Sequence, residues 1–164
     1  MAYFPMFVSL EGRPCLIVGG GRVAFRKCDG LLAFGADVTM VAMSFARPAG
    51  SRSADQKLHR IRRGFREEDL QAQPWAAVVA ATDDRRVNNV IAAYCKEAGI
   101  PVNVADCREE CSFFFPAWCL EGEIAVGVST SGSSPRLASQ LRRKLEAVLP
   151  QWIAGIGKDG IRRE

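Results

Sequence analysis

The sequence contains a single histidine, His59, and no two cysteines stand in a C-x-x-C pair. Closely spaced zinc-ligand signatures are therefore missing, and His59 lies far from the cysteines in the chain. The six cysteines (Cys15, Cys28, Cys95, Cys107, Cys111, Cys119) are read as small hydrophobes in a reducing compartment, with metal binding by Cys107, Cys111 and Cys119 as the alternative. No stretch approaches the roughly 20 apolar residues of a membrane span. The N-terminus also lacks a basic region followed by an apolar core, so a cytoplasmic protein with no membrane partner is expected. Basic residues are scattered apart from Arg60, Arg62, Arg63 and Arg66 and the run Arg142-Arg143-Lys144. With Phe65 the single aromatic among them, these runs lack the repeated aromatic interleaving of a nucleic-acid platform, and they read as solvated faces or as attraction for an acidic small molecule. There is no internal repeat.

What is present suits a globular chain: 164 residues, 48% hydrophobic and 24% charged, with a modest net charge of +4. The centre of the reading is Cys15-Leu16-Ile17-Val18-Gly19-Gly20-Gly21-Arg22-Val23-Ala24, an apolar run that breaks into glycines and resumes with helical periodicity. Gly19, Gly21 and Ala24 fit the G-x-G-x-x-G/A dinucleotide fingerprint. Gly19 would permit the tight turn, Gly21 would let a pyrophosphate approach the backbone, and Ala24 would let helix pack on strand. The phosphates would then meet free N–H groups at a helix N-terminus. A purely structural glycine turn is the alternative.

Tyr3–Leu10 reads as an edge strand or packed arm, with Pro5 against a central place. The first helix is expected to stop near Gly35, and Ala36–Ala42 is the second buried strand. The ribose-binding acid usual at the end of that strand is missing, and Val41, Ala42, Met43 and Ser44 stand there instead. The fingerprint alone therefore does not separate NAD from NADP. Arg47–Gln56 reads as an exposed segment, Leu58–Arg63 as a half-exposed strand carrying His59, and Trp75–Ala81 as a buried strand. Thr82, Asp83 and Asp84 follow, where open α/β sheets bind ligands, and either aspartate could cap the next helix. Ile100–Ala105 is another strand, with Asp106 just beyond it. Up to here strands and helices alternate, as in a parallel sheet with helices on both faces. Thereafter Phe113–Pro116 and Ile124–Ser129 suggest a hairpin around Glu121-Gly122-Glu123. A helix from Pro135 to about Leu149 follows, capped by Ser134, with a Leu137, Leu141, Leu145 and Val148 stripe that needs a covering surface. A homodimer is the economical cover.

Five segments carry a resemblance: FPMFVSLEGRPCLIVGGGRVAFRK near the start, AATDD followed by Asn88, NVAD ending at Asp106, CSFFFPA from Cys111, and VSTSGSSPRLA from Val128. With these the chain resembles the precorrin-2 dehydrogenase family, the N-terminal module of siroheme synthases. The resemblance implies a Rossmann domain (1–112), a dimerisation region of hairpin plus helix (113–150), and the start of a short helical C-terminal domain (151–164). It also implies NAD-dependent oxidation of precorrin-2 to sirohydrochlorin, in some members followed by insertion of ferrous iron. Asp106 matches the family's catalytic aspartate, a general base; a turn residue bonding its own backbone is the plainer alternative. Arg22, Val23, Met43 and Ser44 fall where family members touch NAD, with Gly19, Gly21, Thr82 and Asp83 beside them. Thr130, Ser131, Gly132 and Ser133 would meet the tetrapyrrole or only cap the helix, and Ser131 replaces a glycine common there, at a turn sensitive to positive φ. The competing class is a non-catalytic, dimeric dinucleotide-sensing module, which would need the glycine turn but not Asp106.

Overall fold

Cys15, Leu16, Ile17 and Val18 are all buried, as a strand covered on both faces requires. They form the centre of β1 (Pro14–Val18) in the computed structural model, which describes residues 3–46 and 57–156. The chain divides into two compact units, residues 7–114 and residues 1–6 with 115–164. In the first unit β1 is followed by α1 (Arg22–Ala33), β2 (Asp37–Ala42), β3 (Leu58–Arg62), β4 (Ala77–Ala80), α2 (Arg85–Glu97) and β5 (Val102–Val104). All strands of this unit are parallel, in the order β3-β2-β1-β4-β5.

Strand periodicity divides the core into two faces. On one, Leu16, Val18, Val41, Val78, Ala80, Val102 and Val104 pack with Ile91, Ala92 and Cys95 of α2. On the other, Lys27 of α1 bonds Asn103 of β5, and the Arg60 guanidinium of β3 lies over the Phe25 ring of α1. The helices therefore cover opposite faces, as expected of a Rossmann-like sheet. Phe25, Leu16, Ile17, Met40, Leu70 and Ile91 are among the largest fully buried side chains, each contributing about 1.5–3 kcal/mol by burial. The connection after β3 turns on Asp69, which takes the Arg63 fork at 2.5 and 2.8 Å and the Arg66 N–H at 2.9 Å. The Arg63 guanidinium holds the Asp69 carboxyl below its usual range, and the Trp75 indole N–H donates to the Asp69 carbonyl.

In the second unit β6 (Ala117–Glu121) and β7 (Ile124–Val128) pair antiparallel, and α3 (Pro135–Ile156) packs on both. Glu121 opposite Ile124 leaves the two-residue turn Gly122-Glu123, with Gly122 at φ +56, a primed hairpin turn.

Strands β4 and β5 are shorter than the sequence reading at both ends, and three larger differences stand beside them. Tyr3–Leu10 forms no strand, and Phe4 and Phe7 are 89% and 77% exposed; Pro5 has no N–H for a ladder. The hairpin begins at Ala117 rather than Phe113, because the preceding residues are tied to β5. Ser112 N–H donates to Val102 O, Val102 N–H to Ser112 Oγ, and Asn103 Nδ2 to Phe113 O. Helix α3 continues through Pro150 to Ile156 instead of stopping near Leu149. Proline removes one intrahelical donor and bends a helix without having to end it. The Arg47–Gln56 segment and residues 157–164 lie outside the described residues.

Candidate functional site

The glycine turn explains itself residue by residue. Gly19 has φ +131, and a Cβ on it would stand 2.1 Å from Ala81 O, so the turn presses directly against the end of β4. Gly20 presses the other way: a Cβ there would meet Ser44 O at 1.9 Å. The sequence reading passed over Gly20, whose role is the close approach of the loop after β2; Ala46 N–H donates to Gly20 O at 2.8 Å. Gly21 is different. Its φ of −82 is open to any residue, and a Cβ on it would meet nothing within 4 Å. Neither conformation nor packing within the protein demands glycine at Gly21.

Gly21 is also the N-cap of α1, where no side chain caps the helix and no acid occupies the first turn. Among the described residues no side chain accepts from the first N–H groups of α1, while Arg22 and Val23 stand exposed beside them. Such an end attracts an anion. Ala24 is fully buried against the sheet, as the fingerprint requires. The C-terminal edge of the sheet thus carries Met43, 74% exposed, and Ser44 after β2, Gly19–Gly21 after β1, Thr82 after β4 and Asp106 after β5. Chain direction reverses its lateral course between β1 and β4, the usual place for a crevice. From β1 to β5 is two strand spacings, roughly 10 Å.

Thr82 is held inward by Asn88, which is fully buried: Thr82 N–H and Oγ1 lie 3.2 and 2.8 Å from Asn88 Oδ1, and Asn88 Nδ2 donates to Thr82 O at 3.1 Å. Of the two candidate caps, Asp84 is the one used; its carboxylate accepts from Arg86 N–H at 2.9 Å, and the Arg86 side chain holds it below its usual range. Asp83 is exposed. The Asp106 side chain is 39% exposed and stands 3.5 Å from Arg85 Nη1, while Arg85 Nη2 donates to Glu110. Sequence reasoning singled out neither Arg85 nor Glu110, since a charged pair 25 residues apart leaves no periodic trace.

Beneath this edge Lys27 Nζ donates to Asn103 Oδ1 at 2.6 Å, and burial pulls Lys27 down to about 8. Burial pushes the Cys15 and Cys95 thiols up to about 11, so both are inert thiols. Among the described residues no group of three or more His, Cys, Asp or Glu side chains is placed to hold a metal. A cavity of about 270 Å3 opens beside His59, Thr39 and Trp75 and includes none of the fingerprint residues.

In the hairpin unit the Thr130–Ser134 loop closes on itself. Ser133 Oγ donates to Thr130 O at 2.6 Å, and Ser134 N–H to Thr130 Oγ1 at 3.2 Å. Ser134 Oγ accepts from Leu137 N–H at 3.2 Å, as a cap of α3 should. Ser131 is at φ +51, and it is the only non-glycine residue with positive φ among the described residues; Gly132 follows at φ +80.

No described helix is long and apolar enough to cross a membrane. Residues 6–117 match an NAD(P)-binding family, and residues 121–147 match the central region of a sirohaem biosynthesis protein. The siroheme synthase of Methylococcus capsulatus is 46% identical over 158 residues, which are 96% of this chain and 33% of that protein. That of Neisseria meningitidis serogroup C is 41% identical over 158 residues, 96% of this chain and 32% of its own. The chain thus spans about a third of the length of these relatives. Among solved structures it is similar to SirC, a precorrin-2 dehydrogenase, with a TM-score of 0.72 and 27% identity, covering 98% of this chain and 84% of that one.

Proposed function

The chain belongs to this NAD(P)-binding family, in its siroheme synthase and precorrin-2 dehydrogenase branch, and from that premise we propose that it oxidises precorrin-2 to sirohydrochlorin with NAD. The observation that carries the reading is Gly21: a glycine with no conformational or packing need, at an uncapped helix end on the sheet edge that also bears Asp106. The residues fit the cofactor. Arg22, Val23 and the first N–H groups of α1 would hold its pyrophosphate, Met43 and Ser44 its adenosine, and Thr82 and Asp83 would line the way towards Asp106. Bound there, NAD supplies the hydride acceptor. Asp106, two residues beyond β5 and solvent-accessible, takes the proton that leaves with the hydride. The same carboxylate would receive pyrrole N–H protons where ferrous iron is the second substrate.

Thr130, Ser131, Gly132 and Ser133 are the proposed substrate-binding residues of the hairpin unit. That unit, with residues 113–150 as its dimerisation region, would join a second copy. The setting proposed is cytoplasmic.

The test is anaerobic turnover of precorrin-2 with NAD, followed by NADH and sirohydrochlorin absorbance, with and without ferrous iron. Sirohydrochlorin formed only with NAD supports the dehydrogenase, and faster siroheme formation than in a protein-free control supports iron insertion. NAD binding without either product would instead favour a dinucleotide-sensing module. Asp106→Asn should all but abolish oxidation, leaving a residual rate about a hundredth to a ten-thousandth of native, while NAD still binds.

A further inference from the structure

Arg85 is the first residue of α2, and its backbone is fixed by the Asp84 cap next to it. Its guanidinium reaches the loop after β5 with both ends of the fork: Nη2 donates to Glu110, and Nη1 lies 3.5 Å from Asp106 Oδ1. Among the described residues that Nη1 is buried without a hydrogen-bond partner, and so is the second Glu110 oxygen. Buried donors without partners are rare and call for a reason. Here the spare donor faces the one carboxylate at the ligand edge that the reaction needs, just beyond hydrogen-bond length. A guanidinium is planar and always charged, so fixing one end by Glu110 fixes where the other end points.

We propose that Arg85, anchored by Glu110, is a positioning residue that orients the Asp106 carboxylate, its free Nη1 closing onto Asp106 when substrate fills the edge. The inference rests on Asp106 being the base. The division of labour follows from exposure. Asp106 keeps 39% of its side chain open for substrate, while Glu110, at 30%, balances the arginine charge from the inner side. Asp106 comes from a loop after a strand only three residues long, so without Arg85 its carboxylate would sample several rotamers.

The test is a double-mutant cycle on the full chain, read as anaerobic sirohydrochlorin formation, with NAD binding and thermal midpoint recorded for each variant. Arg85→Met should lower kcat about ten- to a hundredfold, the usual cost of a misplaced catalytic group, while leaving KM within about twofold. The Arg85→Met/Asp106→Asn double variant should be no slower than Asp106→Asn alone, because the arginine acts only through the aspartate. Arg85→Lys keeps the charge but cannot fork, so it should lie between native and Arg85→Met; it carries the test if the methionine variant fails to fold. A slow Asp106→Asn beside native turnover in the arginine variants would overturn the positioning role alone. Independent, multiplying losses, or a change confined to KM, would do the same. Native turnover in Asp106→Asn would overturn the base assignment and, with it, this inference.

Discussion

At the scale of single residues, glycines that look alike in the sequence do different work. Gly19 and Gly20 are held by backbone on either side, so an added Cβ at either would force the turn from Ala81 or Ser44. Gly21→Ala meets no such obstacle. It should leave the melting temperature close to native yet weaken NAD binding tenfold or more, about 1.4 kcal/mol, because the added methyl occupies the approach of the pyrophosphate. Calorimetric titration with NAD beside a thermal melt checks this, and unchanged affinity would contradict it. Ser131 is the reverse case, a side chain where the backbone favours none. Ser131→Gly should raise stability by about 0.5–1 kcal/mol, read as a higher urea midpoint.

Lys27 also acts locally. Its ordinary value of 10.5 falls to about 8 in the folded chain, burial being the first cause and Arg26 the second. Below about pH 8 both states carry the proton and the folded state bears the full cost of the buried charge. From about 8 to 10.5 the unfolded chain holds a proton that the folded one has lost, so this group's contribution to stability rises with pH. Native protein should therefore gain about 1–2 kcal/mol relative to Lys27→Met over that window, the size reduced for a side chain that is partly in solvent. Burial of Cys15 and Cys95 acts in the opposite direction at high pH, but both proteins share it and it cancels.

At the scale of elements, α1 and α2 begin in opposite ways. Helix α2 is capped by Asp84, with Arg86 beside it, and so needs nothing further at its first turn. Helix α1 is left open at the edge where β1 and β4 part. An anion is attracted to the second kind of end and not to the first, which is why the cofactor reading attaches to α1. Helix α3 shows how far a strong stripe carries a helix: Pro150 costs it one hydrogen bond, and the turn bearing Trp152 and Ile153 still forms.

At the scale of the whole molecule, each unit has its own sheet, and the hairpin unit leaves apolar side chains uncovered. On α3, Leu137, Leu141, Trp152 and Ile156 are 47%, 41%, 57% and 68% exposed. A two-stranded sheet and one helix bury too little to leave such a face in water, and a second copy is the proposed cover. Leu141→Arg should convert the sedimenting species from dimer to monomer while the thermal melt of the parallel-sheet unit persists. A native chain that sediments as a monomer at all concentrations would refute the dimer.

Much of the parallel sheet was legible because its strands are short apolar runs punctuated by glycine and proline, and alternation with helical stripes leaves few arrangements. The same local logic located Gly19, Gly21 and Ala24, the Gly35 stop and the Ser134 cap, each marked by a motif only a few residues long. The sequence by itself therefore determined the elements of the parallel sheet and which side chains stand at its strand ends. It missed what depends on distant partners: Gly20 against Ser44, Ser112 tied to Val102, Lys27 against Asn103, and Arg85 between Asp106 and Glu110. Only the tertiary structure decided these, because burial and contact between residues far apart in the chain leave no period to read.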